Sequence, residues 1–532
     1  MSGQEFDYVV IGGGSAGCVV ASGLARDGRF TVALVEEGRK DSNPWIHIPG
    51  TLHKVLASQD ATAVVSDPDP TLEGNKFVVP QGRVLGGGSS MNGMIYMRGN
   101  AQDYDEWESL HGCEGWGWDK VLPAYKRQEA NQRLSDPYHG QTGPLEVSDP
   151  SYRHPVSAQI IAAAIEAGLP PTEDFNGDSQ IGAGWYQFTF NNARRKSAAV
   201  AFLRPVMGQG NFTLLTRHRA DRLVIENRRA TGVIARTNGQ TVTIRARKEV
   251  IVTAGSFQTP KILMLSGIGP AENLDRVGIE VHHDSPGVGA NYQDHVGAPL
   301  TIHLGGMRGI QGDVKGLRAL KHGLEYVLFR RGLLASPIIE AGACADTDGD
   351  GRADVQFNFA PFAPGAPGVQ LPDDALQIHP MTMRPKSRGQ LALASDKSED
   401  DLKFTANVLD REEDLDTLRR GVRLAREIAA KMPVANITGA EIWPGPDVST
   451  AVGSNTLDSA IRKHGRTIFH PAGTCAMGPD DATPLDPCLR VRGIDGLRVA
   501  DCSVMPQLVS GNTNAPTMMI AGRAVDFILE DA

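Results

Sequence analysis

A mixed α/β fold, α+β overall, is predicted by three stretches of this 532-residue chain. Residues 6–38 read as strand, glycine turn, helix and strand. Residues 212–244 alternate polar and apolar side chains over short runs, the period-2 pattern of antiparallel strands. Residues 249–260 lead from an apolar strand straight into a second glycine turn and helix.

The first stretch is the most specific. Tyr8 to Ile11 form an apolar strand that enters Gly12-x-Gly14-x-x-Gly17. A helical pattern follows through Val19, Val20 and Leu24, and a second strand, Thr31 to Val35, ends in Glu36. Gly12 permits the tight turn, Gly14 lets backbone approach a pyrophosphate, and Gly17 lets the helix pack on the strand. The unpaired N–H groups at the helix start, Ser15 and Ala16, suit the pyrophosphate. Glu36, nineteen positions after Gly17, is placed to accept hydrogen bonds from a ribose diol. Its charge repels a 2′-phosphate, so NADP is disfavoured. The expectation is a Rossmann-like dinucleotide-binding unit.

The chain is 41% hydrophobic and 22% charged, enough to bury a large core in two domains or one interleaved unit. Its net charge of −9 argues against a nucleic-acid partner. The most basic run, Arg194-Arg195-Lys196, reads as a solvated turn or a local substrate or cofactor contact. Six scattered cysteines without a CxxC pair fit a reducing compartment. The first strand begins within about five residues of Met1, and no apolar run approaches the ~18 residues of a membrane span. A soluble cytoplasmic protein is expected, with peripheral membrane association left open and the oligomeric state unknown.

Residues 39–80, rich in Pro, Asp and Gly, are expected to form an irregular lid or cofactor-covering segment. Gly82 to Met94 contains three consecutive glycines and two serines, which suit neither a core strand nor a stable helix. Backbone threading past a flat, phosphate-bearing ligand explains them, with exposed N–H groups and hydroxyls for it along Arg83, Gly87, Gly88 and Ser90. Residues 100–132 turn helical, with Trp107, Trp116 and Trp118 as packing aromatics. Hairpins are expected at 212–216, 222–226, 232–236 and 241–244. They feed the strand Glu249 to Thr253, whose turn at Ala254 and Gly255 repeats the logic of a sheet crevice beside a nucleotide. Asp346 to Asp354 has the D-x-D-x-D-G spacing of a calcium loop, but Phe357 stands where the bidentate Glu belongs. A solvated acidic turn and no metal are expected there.

Gly82 to Asp105 and Gly255 to Gly269 match the two signatures of the glucose–methanol–choline (GMC) family of FAD oxidoreductases. The chain resembles that family over nearly its whole length. It is most similar to the bacterial choline-dehydrogenase-like branch that includes L-sorbose and polyethylene-glycol dehydrogenases. Asp174 to Gln187, His322 to Gly332 and Lys463 to Thr474 are similar to sorbose dehydrogenases in particular. The resemblance implies an FAD-binding domain from 1–150, 206–299 and 451–532. A substrate domain from 151–205 and 300–450, an antiparallel sheet with helices, interleaves with it. It further implies FAD contacts at Asn92-Gly93-Met94, at Ala220 for the adenine, and at Ala500 and Asp501. Met91 stands where choline oxidases carry the histidine bonded to FAD, so FAD is expected to be non-covalent. Glu340 matches a carboxylate that contacts the cation in choline enzymes but also occurs in members that do not use choline. Glu340 and Phe469 are the candidate substrate contacts, and Glu340 reads equally as a buried acid paired with an arginine.

The expected chemistry sits near the C-terminus. His470, one of fourteen histidines, precedes a Pro-Ala-Gly turn. Asn514-Ala515-Pro516-Thr517 reads as a helix start with Pro516 and Thr517 in its first turn. Oxidising an alcohol at a flavin sends a hydride to N5 and requires a base for the hydroxyl proton. An imidazole with an ordinary pKa of about 6.5 is the usual acceptor. His470 is the expected base and Asn514 the residue that orients the alcohol; the resemblance implies the same pair. The expected substrates are primary alcohols, polyols or sugars such as L-sorbose, with a quinone, an artificial acceptor or oxygen taking the electrons. Rival readings are a choline or other alcohol oxidase, an FAD-containing hydroxynitrile lyase, and a nucleotide-binding protein without chemistry.

Overall fold

A computed structural model describes residues 4–363, 374–432, 438–451 and 455–532. Two sheets organise it. In the first, strands Phe212–Thr216, Val32–Glu36, Gln4–Ile11 and Gln240–Val252 lie in that order, with Leu497–Val499 added beyond, all parallel. The Val32–Glu36 strand is buried along its whole length, as expected where both faces are covered. Arg229–Thr237 and Arg219–Glu226 extend the sheet as an antiparallel meander.

Two expectations are corrected here. Phe212–Thr216 is not a hairpin arm, because it pairs in parallel with Val32–Glu36. Residues 241–253 are also not two strands. The 13-residue strand Gln240–Val252 pairs antiparallel with Arg229–Thr237 along its first half and parallel with Leu497–Val499 near its end.

Helix Ser15–Asp27 packs against the C-terminal helix Asn514–Asp531. Gly23 permits this approach, since a Cβ there would lie 2.7 Å from Val525 Cγ2. The two N-termini therefore meet over the first sheet.

The second sheet runs Thr438–Trp443, Leu300–Leu304, Ala375–Thr382, Val355–Ala360, Ala341–Ala345 and Gly182–Trp185, antiparallel throughout. Alternation gives it two different buried faces. Phe357, Phe359, Ile378, Ala341 and Ala343 pack with helices Pro155–Glu166 and Glu412–Lys431. Gln356, Asn358, Gln377 and His379 point the other way. Val296–Gly297 and Arg466–Thr467, expected with the nucleotide unit, instead pair with each other and join this sheet at Met381. His470 thus follows directly from a strand that belongs to the second sheet.

The stretch 39–80 is more ordered than expected. It holds short helices Pro44–His47 and Leu52–Leu56, and a hairpin of Ala61–Val65 with Val78–Gly82.

Candidate active site

The glycine turn fits a dinucleotide by steric test. A Cβ on Gly12, at φ +100°, would sit 2.7 Å from Thr253 O, and one on Gly17 would sit 1.8 Å from Gly12 O. Gly14, by contrast, has open space where its Cβ would go. Across it lies Gly87, at φ +50°, whose Cβ would come within 2.8 Å of Gly14 Cα. Two backbones thus cross without side chains beside the N-terminus of Ser15–Asp27, where Ser15 and Ala16 present their N–H groups.

Glu36 is buried at the end of its strand. Its Oε2 accepts from Gly13 N and its Oε1 from Gly38 N, both at 2.7 Å. Burial pushes its pKa up, against the pull of those two N–H donors. The carboxylate braces the turn and keeps lone pairs for a diol. Arg83 is exposed, 4.0 Å from Glu37. Ala220 lies on strand Arg219–Glu226 opposite Ala235.

Asp501 ties the second glycine turn to the C-terminal region, accepting from Gly255 N at 2.9 Å and Thr259 Oγ1 at 2.6 Å. Ala254 N donates to the same Thr259 hydroxyl, and Ala500 N donates to Val252 O. Pro516 and Thr517 are buried in the first turn of Asn514–Asp531.

The loop 86–94 is held from outside by Arg195. This guanidinium, 1% exposed, donates to Ile46 O at 2.8 Å, Ser89 O at 3.1 Å and Asn92 Oδ1 at 2.6 Å. Asn92 Oδ1 also accepts from Met94 N at 3.1 Å, Met94 standing at φ +65°. Ser90 Oγ donates back to Leu85 O. Gly88 and Gly93 are open on the Cβ side. Of the basic run, Arg195 is therefore a buried brace rather than a solvated turn.

His470 is buried, and its partners define its tautomer. His295 Nε2 lies 3.1 Å from Met383 O, so it carries a hydrogen and donates. His295 Nδ1 is then a lone pair, and His470 Nδ1, 2.8 Å away, must donate to it. His470 Nε2 is left as an acceptor. Burial pulls its pKa well below the ordinary imidazole value, and the neighbouring His295 adds to the effect. The ring is neutral near pH 7.

Its backbone is fixed by Asp294, whose Oδ1 accepts from His470 N at 2.9 Å. Oδ2 of the same carboxylate accepts from Tyr292 OH at 3.1 Å and from Thr467 Oγ1. Burial pushes Asp294 up to about 7. Phe469 takes φ +70°, a strained conformation for a bulky residue, over-determined by these braces and by its own N–H on Thr467 Oγ1. Its ring is 54% exposed next to His470.

The asparagine against His470 is Asn512, which corrects the expectation for Asn514. Asn512 Nδ2 donates to His470 Nε2 at 3.1 Å, and its Oδ1 accepts from Gln356 Nε2 at 3.3 Å. Asn514 turns the other way: its Oδ1 accepts from Ser15 Oγ at 2.8 Å and joins the two helix starts. The physical reason is local. Asn514 opens the helix whose N-terminus abuts that of Ser15–Asp27, whereas Asn512 sits in the loop ahead of it. That loop is anchored by Asp103, which accepts from Ser510 N and Ser510 Oγ, both at 2.7 Å.

Glu340, expected as a substrate contact, is buried and accepts from His154 N at the start of helix Pro155–Glu166. Burial raises its pKa to about 7. Sequence reasoning missed Asp294, His295, Gln356 and Asn512. The run Tyr292 to His295, which supplies two of them, was the available signal.

A dinucleotide cradle joined through Asn514 to the loop that carries Asn512 and faces a neutral, buried imidazole suits an FAD-dependent oxidoreductase of alcohols. The chain belongs to the GMC oxidoreductase family, whose models match residues 6–297 and 385–521. It is 39% identical to the oxygen-dependent choline dehydrogenase of Rhizobium rhizogenes over 99% of this chain and 96% of that one. The enzyme of the same name from Brucella ovis is 38% identical with the same coverage. Among solved structures, pyridoxine 4-oxidase from Mesorbium loti superposes with a TM-score of 0.87 at 27% identity, covering 98% of each chain. A formate oxidase variant from Aspergillus oryzae does so with a TM-score of 0.91 at 25% identity, covering 100% of this chain and 99% of that one. Among the described residues, no helix is long and apolar enough to cross a membrane.

Proposed function

We propose that this enzyme oxidises a primary alcohol of a polyol or sugar, of the L-sorbose type, to the carbonyl, with His470 as general base. FAD, when bound, supplies the hydride acceptor at N5. The residues that would hold it are Gly12, Gly14, Ser15, Ala16, Gly17 and Glu36, together with Arg83, Gly87, Gly88, Ser90, Asn92, Gly93 and Met94. Ala220, Ala254, Ala500, Asp501, Pro516 and Thr517 complete the set. Met91 packs with Ile46, Val55 and Val84 and offers no nucleophile for a covalent link, so FAD is held non-covalently. We place the protein in the cytoplasm, where its six thiols are stable.

The observation that carries the reading is the neutral His470 Nε2 beside Asn512. Nε2 takes the hydroxyl proton. The alcohol hydroxyl takes the place of the Asn512 amide at Nε2, and Asn512, oriented by Gln356, turns its amide hydrogens to the alcohol oxygen. His295 accepts from the far side of the ring and keeps the lone pair on Nε2.

The polar face of the second sheet supports a polyhydroxylated substrate. Gln356 Oε1 and Asn358 Oδ1 are buried there without hydrogen-bond partners, and both are acceptors that hydroxyl donors would satisfy. A choline substrate is the second reading, favoured by the relatives' names and by the position of Glu340. Against it, that carboxylate is committed to a helix start.

The test is anaerobic reduction of the bound flavin by L-sorbose, sorbitol, simple primary alcohols and choline, followed by admission of air. Bleaching by polyols but not choline supports the proposal, and bleaching by choline alone refutes it. No bleaching by any alcohol, with cyanohydrin cleavage instead, makes the protein a lyase. Rapid recovery of colour in air assigns oxygen as acceptor, and slow recovery reversed by a quinone assigns a quinone-type carrier.

A further inference from the structure

Helix Gly316–Phe329 carries its apolar face outward. Leu317 is 85% exposed, and Leu320, Leu324, Val327, Leu328 and Phe329 are each more than half exposed. Leu317, Leu320, Leu324, Val327 and Leu328 fall at spacings of three and four, on one stripe of the helix. Tyr326 is the helix's one buried residue among those described, on roughly the opposite side. Its hydroxyl donates to Ala193 O at 2.9 Å, and its ring packs with Ala193 and Ala335. The helix is therefore pinned with its leucines in water, the reverse of what a soluble surface helix does.

The charges around the stripe point to one occupant. The chain has a net charge of −9, yet residues 315–331 contain five Lys and Arg against one Glu. Arg318, Lys321, Arg330 and Arg331 are exposed, while the one acid, Glu325, lies 3.7 Å from His322. A leucine stripe flanked by cations is the design of a helix that lies in a membrane interface and draws on anionic headgroups. A second copy of this chain fits worse. An isologous contact would set Arg318, Lys321, Arg330 and Arg331 against the same cations of the partner, a like-charge arrangement.

We propose that helix Gly316–Phe329 docks the enzyme on an anionic phospholipid bilayer as a peripheral protein. Its leucines enter the acyl boundary, and Arg318 and Lys321 pair with phosphates, while Arg330 stacks 4.7 Å over the Tyr326 ring.

The test is flotation of the full-length, FAD-loaded protein with vesicles of phosphatidylcholine alone or with about 30 mol% phosphatidylglycerol, alongside sedimentation velocity without lipid. Binding to the anionic vesicles only, weakened by salt, is expected. The Leu320→Glu/Leu324→Glu double variant should abolish binding while keeping flavin absorbance and alcohol turnover in solution. If that variant is unstable, Leu320→Ser/Leu324→Ser replaces it. Arg318→Gln/Lys321→Gln should lower partitioning about 30-fold. Three results would each overturn the proposal: no flotation with anionic vesicles, flotation unchanged in the leucine variants, or a dimer in the wild type that the leucine variants convert to monomer.

Discussion

His295 and His470 meet edge-on, Nδ1 to Nδ1, at 2.8 Å with ring planes at 88°. Because His295 already donates from Nε2 to Met383 O, the contact admits one proton assignment while both rings are neutral. His470 then shows its lone pair to the asparagine side. Replacing His295 by Leu should remove the acceptor and let His470 adopt either tautomer. The expected effect is a drop in kcat of about 10–100-fold with little change in KM, by analogy with loss of an orienting partner at other histidines. Steady-state kinetics together with nitrogen NMR of the imidazole would check it, and an unchanged kcat would rule out a positioning role for His295.

The two asparagines should separate cleanly. Asn512→Ala removes the amide beside Nε2, so flavin reduction should slow by about 100-fold with FAD content preserved. Asn514→Ala breaks the bridge to Ser15, so FAD retention should weaken while the rate in the fully loaded enzyme holds. Flavin-to-protein absorbance ratios and single-turnover rates on both variants report this. The opposite pattern would restore Asn514 as the catalytic partner.

Gly87→Ala should be among the most damaging changes outside the base. The added Cβ meets Gly14 Cα at 2.8 Å, and φ +50° disfavours any side chain. A loss of about 1–3 kcal/mol in stability is expected from strain of this kind, together with loss of FAD. Thermal denaturation and absorbance at purification measure both.

The pH dependence follows from burial. His470 stays neutral well below the ordinary imidazole value, so kcat/KM should remain flat as pH falls through about 6.5 and decline only at lower pH. An acid limb centred at or above that value would contradict the electrostatics. Stability has the matching sign. His295, lowered to about 4, and His470 take up protons more readily when unfolded, so their contribution is lost as pH drops below about 6.5. Asp294 and Glu340, both raised to about 7, act oppositely and lose stabilisation as pH rises from about 4 to that value. Denaturant melts of Asp294→Asn should therefore show less loss than the wild type as pH rises from about 4 to about 7.

What the sequence reveals here is what is local. Gly12, Gly14, Gly17 and Glu36 serve one turn, and their spacing carries their geometry. Asn512 and Asn514 are the same residue two positions apart, and only the direction each takes from the helix start tells them apart. His295, Met383 and Gln356 reach His470 and Asn512 through sheet pairings between distant segments, which no periodicity records. The alternation in Phe212–Thr216 marks a strand but not its partner, and the strand joins Val32–Glu36 in parallel instead of its neighbour in sequence. Glu340 shows the converse: its match to a family carboxylate suggested a ligand contact, but it packs against the start of helix Pro155–Glu166 and accepts from backbone N–H there.

The most direct test of the central claim is anaerobic stopped-flow mixing of FAD-loaded His470→Ala with the alcohol that best bleaches the wild type. Loss of the base should slow flavin reduction by about 10²–10⁴-fold, with the oxidised flavin spectrum intact and activity partly restored by added imidazole. Reduction at the wild-type rate would contradict the account.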